Sequence, residues 1–377
     1  MSVKNEHNNI KRLGDYIELC DERNSSEEYT LDDIRGISTE KKFIDTKANL
    51  DGVSLTAYKV VHKDEFAYVS DTSRRGDKIA LALNTTDKPV LISSIYTTFR
   101  SIDRKQLLPE YLYLFFSREE FDRFSRFNSW GSARETFDWS EFCQIEIPLP
   151  DIEIQQELVD TYNGLKALAE QNEALIKPLT GACQAYIVDC KRKYPEVELG
   201  EYIEVYDVKN IDSQYLPFFG INKDKTFMPT IADTNELDNS KYKIVRKDMF
   251  VFSGMQTGRD VCIRLALYTK NDSILVSPAY TTFVIKDKSV ILPEYLFIQF
   301  NRFQMDRYGW FLSDGSIRSN LDWSEFCRIQ IPLPPPKVQQ AIVNLYNCAE
   351  EAKRIATEAR EKMKTLCPAL VQRAING

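Results

Sequence analysis

The chain has 377 residues, which is too long for one simple hydrophobic core and predicts two or more domains. Hydrophobic residues make up 43% of the chain, yet no apolar run reaches the length of about eighteen residues that a membrane span needs. The net charge of −7 argues mildly against a protein that binds nucleic acid unaided. A polar N-terminus, and eight cysteines without a CxxC pair or metal-ligand spacing, predict a cytoplasmic protein with reduced thiols.

A tandem duplication covers nearly the whole chain. After a predicted N-terminal extension at 1–12, the sequence LGDYIE at 13–18 returns as LGEYIE at 199–204. The block DWSEFC at 138–143 returns unchanged at 322–327, 184 residues later. Further pairs at this spacing are YTTF (96–99 and 280–283), LPEYL (108–112 and 292–296) and the GSxR turns (131–134 and 315–318). A repeat this long predicts two domains, not a solenoid, with boundaries at 13–150 and 194–334 and a long helix after each, at 151–193 and 335–377.

Each copy mixes short strands with a helix, so the predicted fold class is α+β. Strands are predicted at Ala57–Val61, Phe66–Ser70, Leu91–Phe99 and Ile145–Pro148, with counterparts at Tyr242–Val245, Phe250–Ser253, Ile274–Ile285 and Ile329–Pro332. A helix is predicted from Pro109 to about Phe124, and again from Pro293 to about Tyr308, because proline followed by an acidic residue suits a first helical turn.

Two heptad patterns predict long helices that pack on each other. The predicted helix-packing residues are Leu158, Leu165, Leu168 and Leu175 in the first helix, and Ile342, Leu345, Ala349, Ala352, Ala356 and Ala359 in the second. Because the first helix leaves the first domain and the second begins at the second domain, pairing requires them to run antiparallel. Each would span ~60 Å and separate two domains related by a pseudo-twofold axis. Pro178 is expected to kink or interrupt the first helix.

Enzyme signatures are nearly absent. The only histidines are His7 and His62, so a Ser-His-Asp or Cys-His arrangement is not expected, and no Gly-rich phosphate loop or metal cluster is visible. The segment SPAY at 277–280 faintly resembles the Ser/Asn/Asp-Pro-Pro-Tyr/Phe loop of amino-group DNA methyltransferases. It lacks the second proline and no Gly-rich donor motif precedes it, so the start of a strand is the better interpretation. We therefore predict no catalytic residue and no metal.

The candidate functional residues lie in loops that occupy the same place in both copies. The predicted DNA-binding residues are Arg74, Arg75, Lys78, Ser132 and Arg134 in the first copy, and Gln256, Thr257, Arg259, Ser316 and Arg318 in the second. Arginine and glutamine suit bidentate contacts with guanine and adenine edges, and glycine lets a backbone approach a ligand closely. An ordinary solvated loop is the alternative interpretation for any single arginine.

In these features the chain resembles the specificity (S) subunit of type I restriction–modification systems. The resemblance rests on the two-copy layout, the IPLP step before each long helix (147–150 and 331–334), the glutamine pairs at 155–156 and 339–340, the SGMQTGR loop at 253–259 and the GSxR turns. It covers residues 13–377. The chain departs from the family in having Gln-Gln where Glu-Gln is common, and in having SRRG at 73–76 in place of a glycine-rich loop.

The resemblance implies that each copy is a target recognition domain that reads one half of a bipartite, asymmetric target in double-stranded DNA. The helices would set the gap between the half-sites. Two modification subunits would dock on the chain and methylate adenines with their own S-adenosylmethionine, and a restriction (translocase) subunit would join them in a full complex. This subunit would then have no catalytic residue and no cofactor. Two alternatives stay open: a self-sufficient duplicated-domain DNA methyltransferase, and a coiled-coil adaptor that binds proteins.

Overall fold

The structure is a computed structural model that describes residues 10–46, 50, 52–72, 78–131, 134–230, 238–255, 257–315 and 319–376, with side chains up to 365. In this part of the chain, no helix is both long and apolar enough to cross a membrane. The chain divides into two compact units, residues 1–171 with 355–377, and residues 172–354. Each unit holds the globular part of one copy and one half of each long helix. The domain boundaries predicted from the sequence stay a prediction.

The first copy contains short strands and three short helices, and a long helix follows it. The strands are β1 (Ile10–Arg12), β2 (Ile17–Cys20), β3 (Arg35–Ile37), β4 (Phe43–Asp45), β5 (Lys59–Val61), β6 (Glu65–Val69), β7 (Ala80–Leu83), β8 (Val90–Ile92), β9 (Thr97–Ser101) and β10 (Glu146–Pro148). The helices are α1 (Pro109–Phe116), α2 (Glu119–Phe127), α3 (Trp139–Phe142) and the long α4 (Ile152–Lys193).

The second copy repeats this order. Its strands are β11 (Glu196–Glu198), β12 (Ile203–Val205), β13 (Phe218–Ile221), β14 (Phe227–Pro229), β15 (Lys243–Val245), β16 (Phe250–Ser253), β17 (Arg264–Leu267), β18 (Ile274–Val276), β19 (Thr281–Ile285) and β20 (Gln330–Pro332). Its helices are α5 (Thr257–Asp260), α6 (Pro293–Phe300), α7 (Phe303–Leu312), α8 (Trp323–Cys327) and the long α9 (Pro336–Asn376).

One antiparallel sheet forms the centre of each copy, in the order β2-β9-β6-β7 in the first and β12-β19-β16-β17 in the second. Aromatic rings stack across its middle strands. The Phe66 and Phe99 ring centroids lie 4.8 Å apart, and those of Phe250 and Phe283 lie 4.9 Å apart. All four side chains are fully buried, which explains why the aromatic positions of these strands match between the copies.

The first described residues belong to the fold. Ile10–Arg12, predicted to lie in a loose extension, pair with Glu146–Pro148 as antiparallel strands. The equivalent strands Glu196–Glu198 and Gln330–Pro332 pair in the second copy. Residues 10–12 of the predicted extension thus lie in a strand pair, because the edge of β10 offers backbone partners that sequence periodicity does not reveal.

The helix predicted after each Pro-Glu pair is two helices. In the first copy the break falls at Ser117 and Arg118, where the Ser117 hydroxyl donates to the Tyr113 carbonyl at 2.8 Å. Arg118 is extended and its Nε donates to the Phe115 carbonyl at 3.1 Å, so it closes α1 and begins α2. Asn301 and Arg302 mark the equivalent break in the second copy.

Two predicted strand runs are also divided. The run Leu91–Phe99 contains a turn in which the Tyr96 amide donates to the Ser93 carbonyl at 3.1 Å. The run Ile274–Ile285 contains the matching turn, from Ser277 to Tyr280, again at 3.1 Å. In both places a tight turn connects strands of two different sheets, which a continuous apolar pattern cannot indicate.

The first glutamine of each pair ties the long helix to its globular domain. The Gln155 side chain is fully buried: its Oε1 accepts from the Leu108 amide at 2.9 Å, and its Nε2 donates to the Gln106 and Pro150 carbonyls at 2.8 Å. Gln339 makes the equivalent bonds with Leu292, Val290 and Pro334 at 2.7–2.9 Å. Each glutamine therefore fixes the start of a long helix against the start of α1 or α6.

The two long helices pack antiparallel. In the second unit, Cys183 of α4 lies against Ile342 near the start of α9, with Sγ 4.0 Å from the Ile342 carbonyl oxygen. In the first unit, Tyr162 near the start of α4 and Met363 far along α9 line one cavity. The predicted fold class, repeated α+β domains with a pair of long antiparallel helices, is confirmed. Helix α4 continues through Pro178 from Ile152 to Lys193, so the expected interruption does not occur.

The predicted packing residues of α9 are buried or nearly so: Ile342, Ala349, Ala352, Ala356 and Ala359 are at most 6% exposed, and Leu345 is half-buried. In α4, Leu158 is buried and Leu165 half-buried, but Leu168 and Leu175 are 43% and 51% exposed. Ala169, Ile176 and Cys183 take the inner positions instead. In this part of α4 the inner residues thus follow the predicted ones by one position: Ala169 in place of Leu168, and Ile176 in place of Leu175.

Candidate nucleic-acid interface

The structure places the described part of the loop after β16 against the residues that follow the GSIR turn of the second copy. Strand β16 ends at Ser253, and the carbonyl of the next residue, Gly254, accepts from the Leu321 amide at 2.9 Å. The Gly258 amide donates to the Ser319 carbonyl, also at 2.9 Å. The loop 254–260 thus lies against the segment that follows the GSIR turn, and the two form one surface.

The first copy has the same arrangement. The Phe137 amide donates to the Ser70 carbonyl at 2.8 Å, which repeats the bond between Leu321 and Gly254. The Thr72 amide donates to the Glu135 carbonyl at 3.2 Å, and the Thr72 hydroxyl donates to the Ser129 hydroxyl at 2.8 Å. The described start of the loop after β6 therefore lies against the residues that follow the GSAR turn.

Two glycines in these motifs are sterically required. A Cβ atom at Gly254 would overlap the Leu321 carbonyl oxygen, so the close pairing with residue 321 needs glycine. Gly131 has a φ of +143°, and a Cβ there would overlap the Arg134 carbonyl oxygen. These glycines are therefore needed for the shape of the loops. The sequence pattern alone could not distinguish this structural role from a role in ligand binding.

Four of the predicted DNA-binding residues can be placed. Lys78 and Arg134 are exposed, and Lys78 Nζ lies 4.0 Å from Glu40 Oε1. The Arg259 side chain is 60% exposed. Thr257 is fully buried and its hydroxyl donates to the Gly254 carbonyl at 3.0 Å, so it supports the loop from inside and does not face solvent. Arg74, Arg75, Ser132, Gln256, Ser316 and Arg318 lie outside the described residues.

A buried carboxylate organises the cations of the second loop. The Asp260 side chain is 5% exposed, and its Oδ1 accepts from Arg259 Nε at 3.2 Å and lies 3.4 Å from Lys223 Nζ. Its Oδ2 pairs with Arg264. Burial raises the pKa of Asp260, but hydrogen bonds from Arg259, Arg264 and Lys223 outweigh burial and hold its pKa below the ordinary range. Asp260 is therefore ionised at neutral pH and can orient the Arg259 guanidinium.

A buried ion pair behind each loop was missed at the sequence level. Lys41 pairs with Asp122 on α2, and Asp122 Oδ1 accepts from the Ile79 amide at 3.2 Å. In the second copy Lys225 Nζ lies 2.8 Å from Asp306 Oδ1, which accepts from the Ile263 amide at 2.9 Å. All three partners recur 184 residues later, and this identity at a fixed offset was the available signal.

The methyltransferase-like segment SPAY lies in a backbone turn. It makes the turn between β18 and β19, with the Tyr280 amide bonded to the Ser277 carbonyl and the Ala279 amide 3.3 Å from Ser277 Oγ. The hydroxyl of Ser277 is thus used within the turn. This placement agrees with its interpretation as the start of a strand.

Comparisons with known proteins found one matching family model and several similar solved structures. Residues 24–178 match the family model of the type I restriction modification DNA specificity domain. A search of curated proteins found no match. Among solved structures, the type I restriction-modification S subunit from M. genitalium is similar over 99% of this chain and 98% of its own, with 12% identity and a TM-score of 0.60.

The HsdS subunit from Thermoanaerobacter tengcongensis is also similar, with 19% identity, a TM-score of 0.41 and coverage of 98% of this chain and 96% of its own. The similarity to the M. genitalium subunit shows the fold over nearly the full length, and the family model identifies the domain of the first copy. Residues 24–178 therefore match the type I restriction modification DNA specificity domain, and the chain as a whole has the same fold as the S subunit from M. genitalium.

Proposed function

We propose that this chain is the DNA-recognition subunit of a type I restriction–modification complex, and that each copy reads one half of a bipartite, asymmetric target. The observation that carries the proposal is the same backbone pairing at the base of the loops in both copies. The bond between Ser70 and Phe137 recurs between Gly254 and Leu321, while the loop residues themselves differ. A constant frame with different side chains is what two readers of different half-sites require.

The described cations of these loops suit contact with DNA. Arg259 can donate two parallel hydrogen bonds to a guanine edge or bind a phosphate, and Asp260 beside it limits the orientations it can take. Arg134 and Lys78 are exposed on the first copy. Because the whole chain carries a net charge of −7, we infer that partner subunits supply much of the phosphate contact.

In this proposal the long helices set the gap between the half-sites and carry the partners. Two modification subunits would dock on the chain, each with its own S-adenosylmethionine, and restriction (translocase) subunits would join them. The exposed Leu168 and Leu175 of α4 support docking on this helix, since apolar side chains at a helix surface favour a protein contact. The chain itself would act without a catalytic residue, cofactor or metal.

A methylation map of the host genome tests the proposal. Long-read sequencing that detects methylated bases is expected to find one split motif, methylated on both strands, that disappears when this gene is deleted. Binding of S-adenosylmethionine to the purified chain alone would favour the self-sufficient methyltransferase instead. An unchanged methylation map, together with no DNA binding in the presence of a modification subunit, would favour the protein adaptor.

A further inference from the structure

A second repeated motif lies beside the candidate interface and has no part in the function described so far. The sequence DRFSRF at 122–127 of α2 corresponds to DRYGWF at 306–311 of α7. The shared pattern is an acidic residue, an arginine, an aromatic residue and, three positions later, a phenylalanine. It is the most exposed cluster of aromatic side chains that recurs in both copies of the described chain.

The acidic residue fixes which face of the helix turns outward. Asp122 is buried against Lys41 and the Ile79 amide, and Asp306 is held by Lys225 and the Ile263 amide in the same way. Ser125 or Gly309, one turn further, is small and buried. A Cβ at Gly309 would overlap the Ile263 side chain, so α7 lies close against the domain.

The opposite face therefore carries an arginine and two aromatic residues into solvent. Phe127 and Phe311 are 77% and 79% exposed, and Phe124 and Tyr308 are 43% and 40% exposed. The arginines, Arg123 and Arg307, are also exposed and precede the outer phenylalanines by four residues. Residues at this spacing lie on one face of a helix, so each copy presents an arginine beside two aromatic residues. In the first copy the arginine also has an acidic neighbour, since Arg123 Nη2 lies 3.6 Å from Glu120 Oε1.

Each patch adjoins the loops of its own copy. In the first copy, Phe124 contacts Phe137, whose amide is bonded to Ser70 at the end of β6. In the second, a Cβ at Gly258 would lie 3.1 Å from Trp310, so α7 packs directly on the loop that carries Arg259. A duplex held at the loops would thus extend over the neighbouring helix end.

We propose that these patches, Arg123, Phe124 and Phe127 in the first copy and Arg307, Tyr308 and Phe311 in the second, grip DNA next to the base-reading loops without reading sequence. The inference rests on the proposed function. Because the patches match between copies whose targets differ, they fit what both half-sites share, the sugar–phosphate backbone and the groove walls. Arginine binds phosphate, and aromatic rings pack on sugars or between base steps.

The test uses the full chain assembled with its modification subunits and two duplexes, one with the target and one of random sequence. The double variants Phe127→Ala/Phe311→Ala and Arg123→Gln/Arg307→Gln change exposed residues, so the fold is expected to persist. Tyr215→Ala, which removes a fully exposed tyrosine outside the patches, is the control. Assembly with the modification subunits is measured separately without DNA, by sedimentation.

We expect either double variant to bind both duplexes about fivefold or more weakly, with assembly unchanged. The arginine variant should also reduce the salt dependence of binding by about two released counterions. Weaker assembly with unchanged DNA affinity of the assembled complex would overturn the inference and make the patches a protein-docking surface. Unchanged affinity and assembly would overturn it too. If the wild-type complex itself binds neither duplex, the proposed function fails first, and the inference with it.

Discussion

At the scale of single residues, the fold depends on polar side chains that are buried in the same place twice. Gln155 and Gln339 each satisfy one amide and two carbonyl groups between a long helix and a domain. A buried amide or carbonyl that loses its partner costs about 1–3 kcal/mol. These glutamines therefore contribute more to stability than their exposed neighbours in the sequence.

The substitution Gln155→Ala is expected to lower the free energy of unfolding by about 3 kcal/mol, because it removes the hydrogen-bond partner of the buried Leu108 amide and of the Gln106 and Pro150 carbonyls. Gln156→Ala is the matched control. Its exposed side chain only bonds Asp160 at 2.9 Å, so a change within about 0.5 kcal/mol is expected. Urea denaturation of both variants measures the difference, and equal losses would refute the assigned role of Gln155.

Arg259→Ala is expected to weaken DNA binding by the assembled complex. If Arg259 contacts a base, the sequence preference at one position of one half-site relaxes; if it contacts phosphate, affinity falls evenly and the salt slope drops by about one. Arg328→Ala is the control, since Arg328 is 68% exposed and lies outside the loop. Binding titrations at several salt concentrations measure these effects. If neither the sequence preference nor the affinity and its salt slope changes, Arg259 is not part of the interface.

Some of these residue roles could be predicted from the sequence and others could not. The glutamine pairs were visible, but only the packing separates buried Gln155 from exposed Gln156. Lys41 and Asp122 are 81 residues apart, so nothing local indicates that they pair. Thr257 was predicted to bind DNA because it lies in a conspicuous loop, yet its hydroxyl is used to close that loop.

At the scale of elements, the contact face between the two long helices shows what heptad patterns can and cannot predict. The alanine-rich face of α9 was placed well, because its inner and outer residues differ clearly in polarity. In α4, leucines at 168 and 175 made a second apolar stripe that competed with the true inner positions. The inner residues there include the fully buried Ala169, so size complementarity, not hydrophobicity, selects the buried face.

Close packing at the alanines gives a prediction for this element. Ala356→Leu should destabilise the protein by about 1–3 kcal/mol, because Ala356 is 4% exposed and a larger side chain in a packed core forces its neighbours to shift. Ala341→Leu on the same helix is the control, since Ala341 is exposed and leucine is also a good helix former. Thermal unfolding followed by circular dichroism compares the two variants. Similar melting temperatures would argue against tight packing between the long helices.

At the scale of the whole molecule, the duplication gives one chain two domains with the same internal supports. The internal supports recur 184 residues apart: the buried ion pair, the buried glutamine, and the tyrosine of α1 or α6 whose hydroxyl bonds the Pro148 or Pro332 carbonyl at 2.8 and 2.7 Å. The loops that these supports hold differ between the copies. The loop residues can therefore change without loss of the buried contacts that support the domains.

The central claim is that two domains read separate half-sites and that the long helices set the distance between them. Deleting one heptad from both helices removes about 10 Å of rise, roughly three base pairs of B-DNA, and nearly keeps the inner faces in register. The measurement is a methylation map of cells that carry this variant. We predict the same two half-sites with a shorter gap, whereas an unchanged gap, or altered half-sites, would contradict the claim.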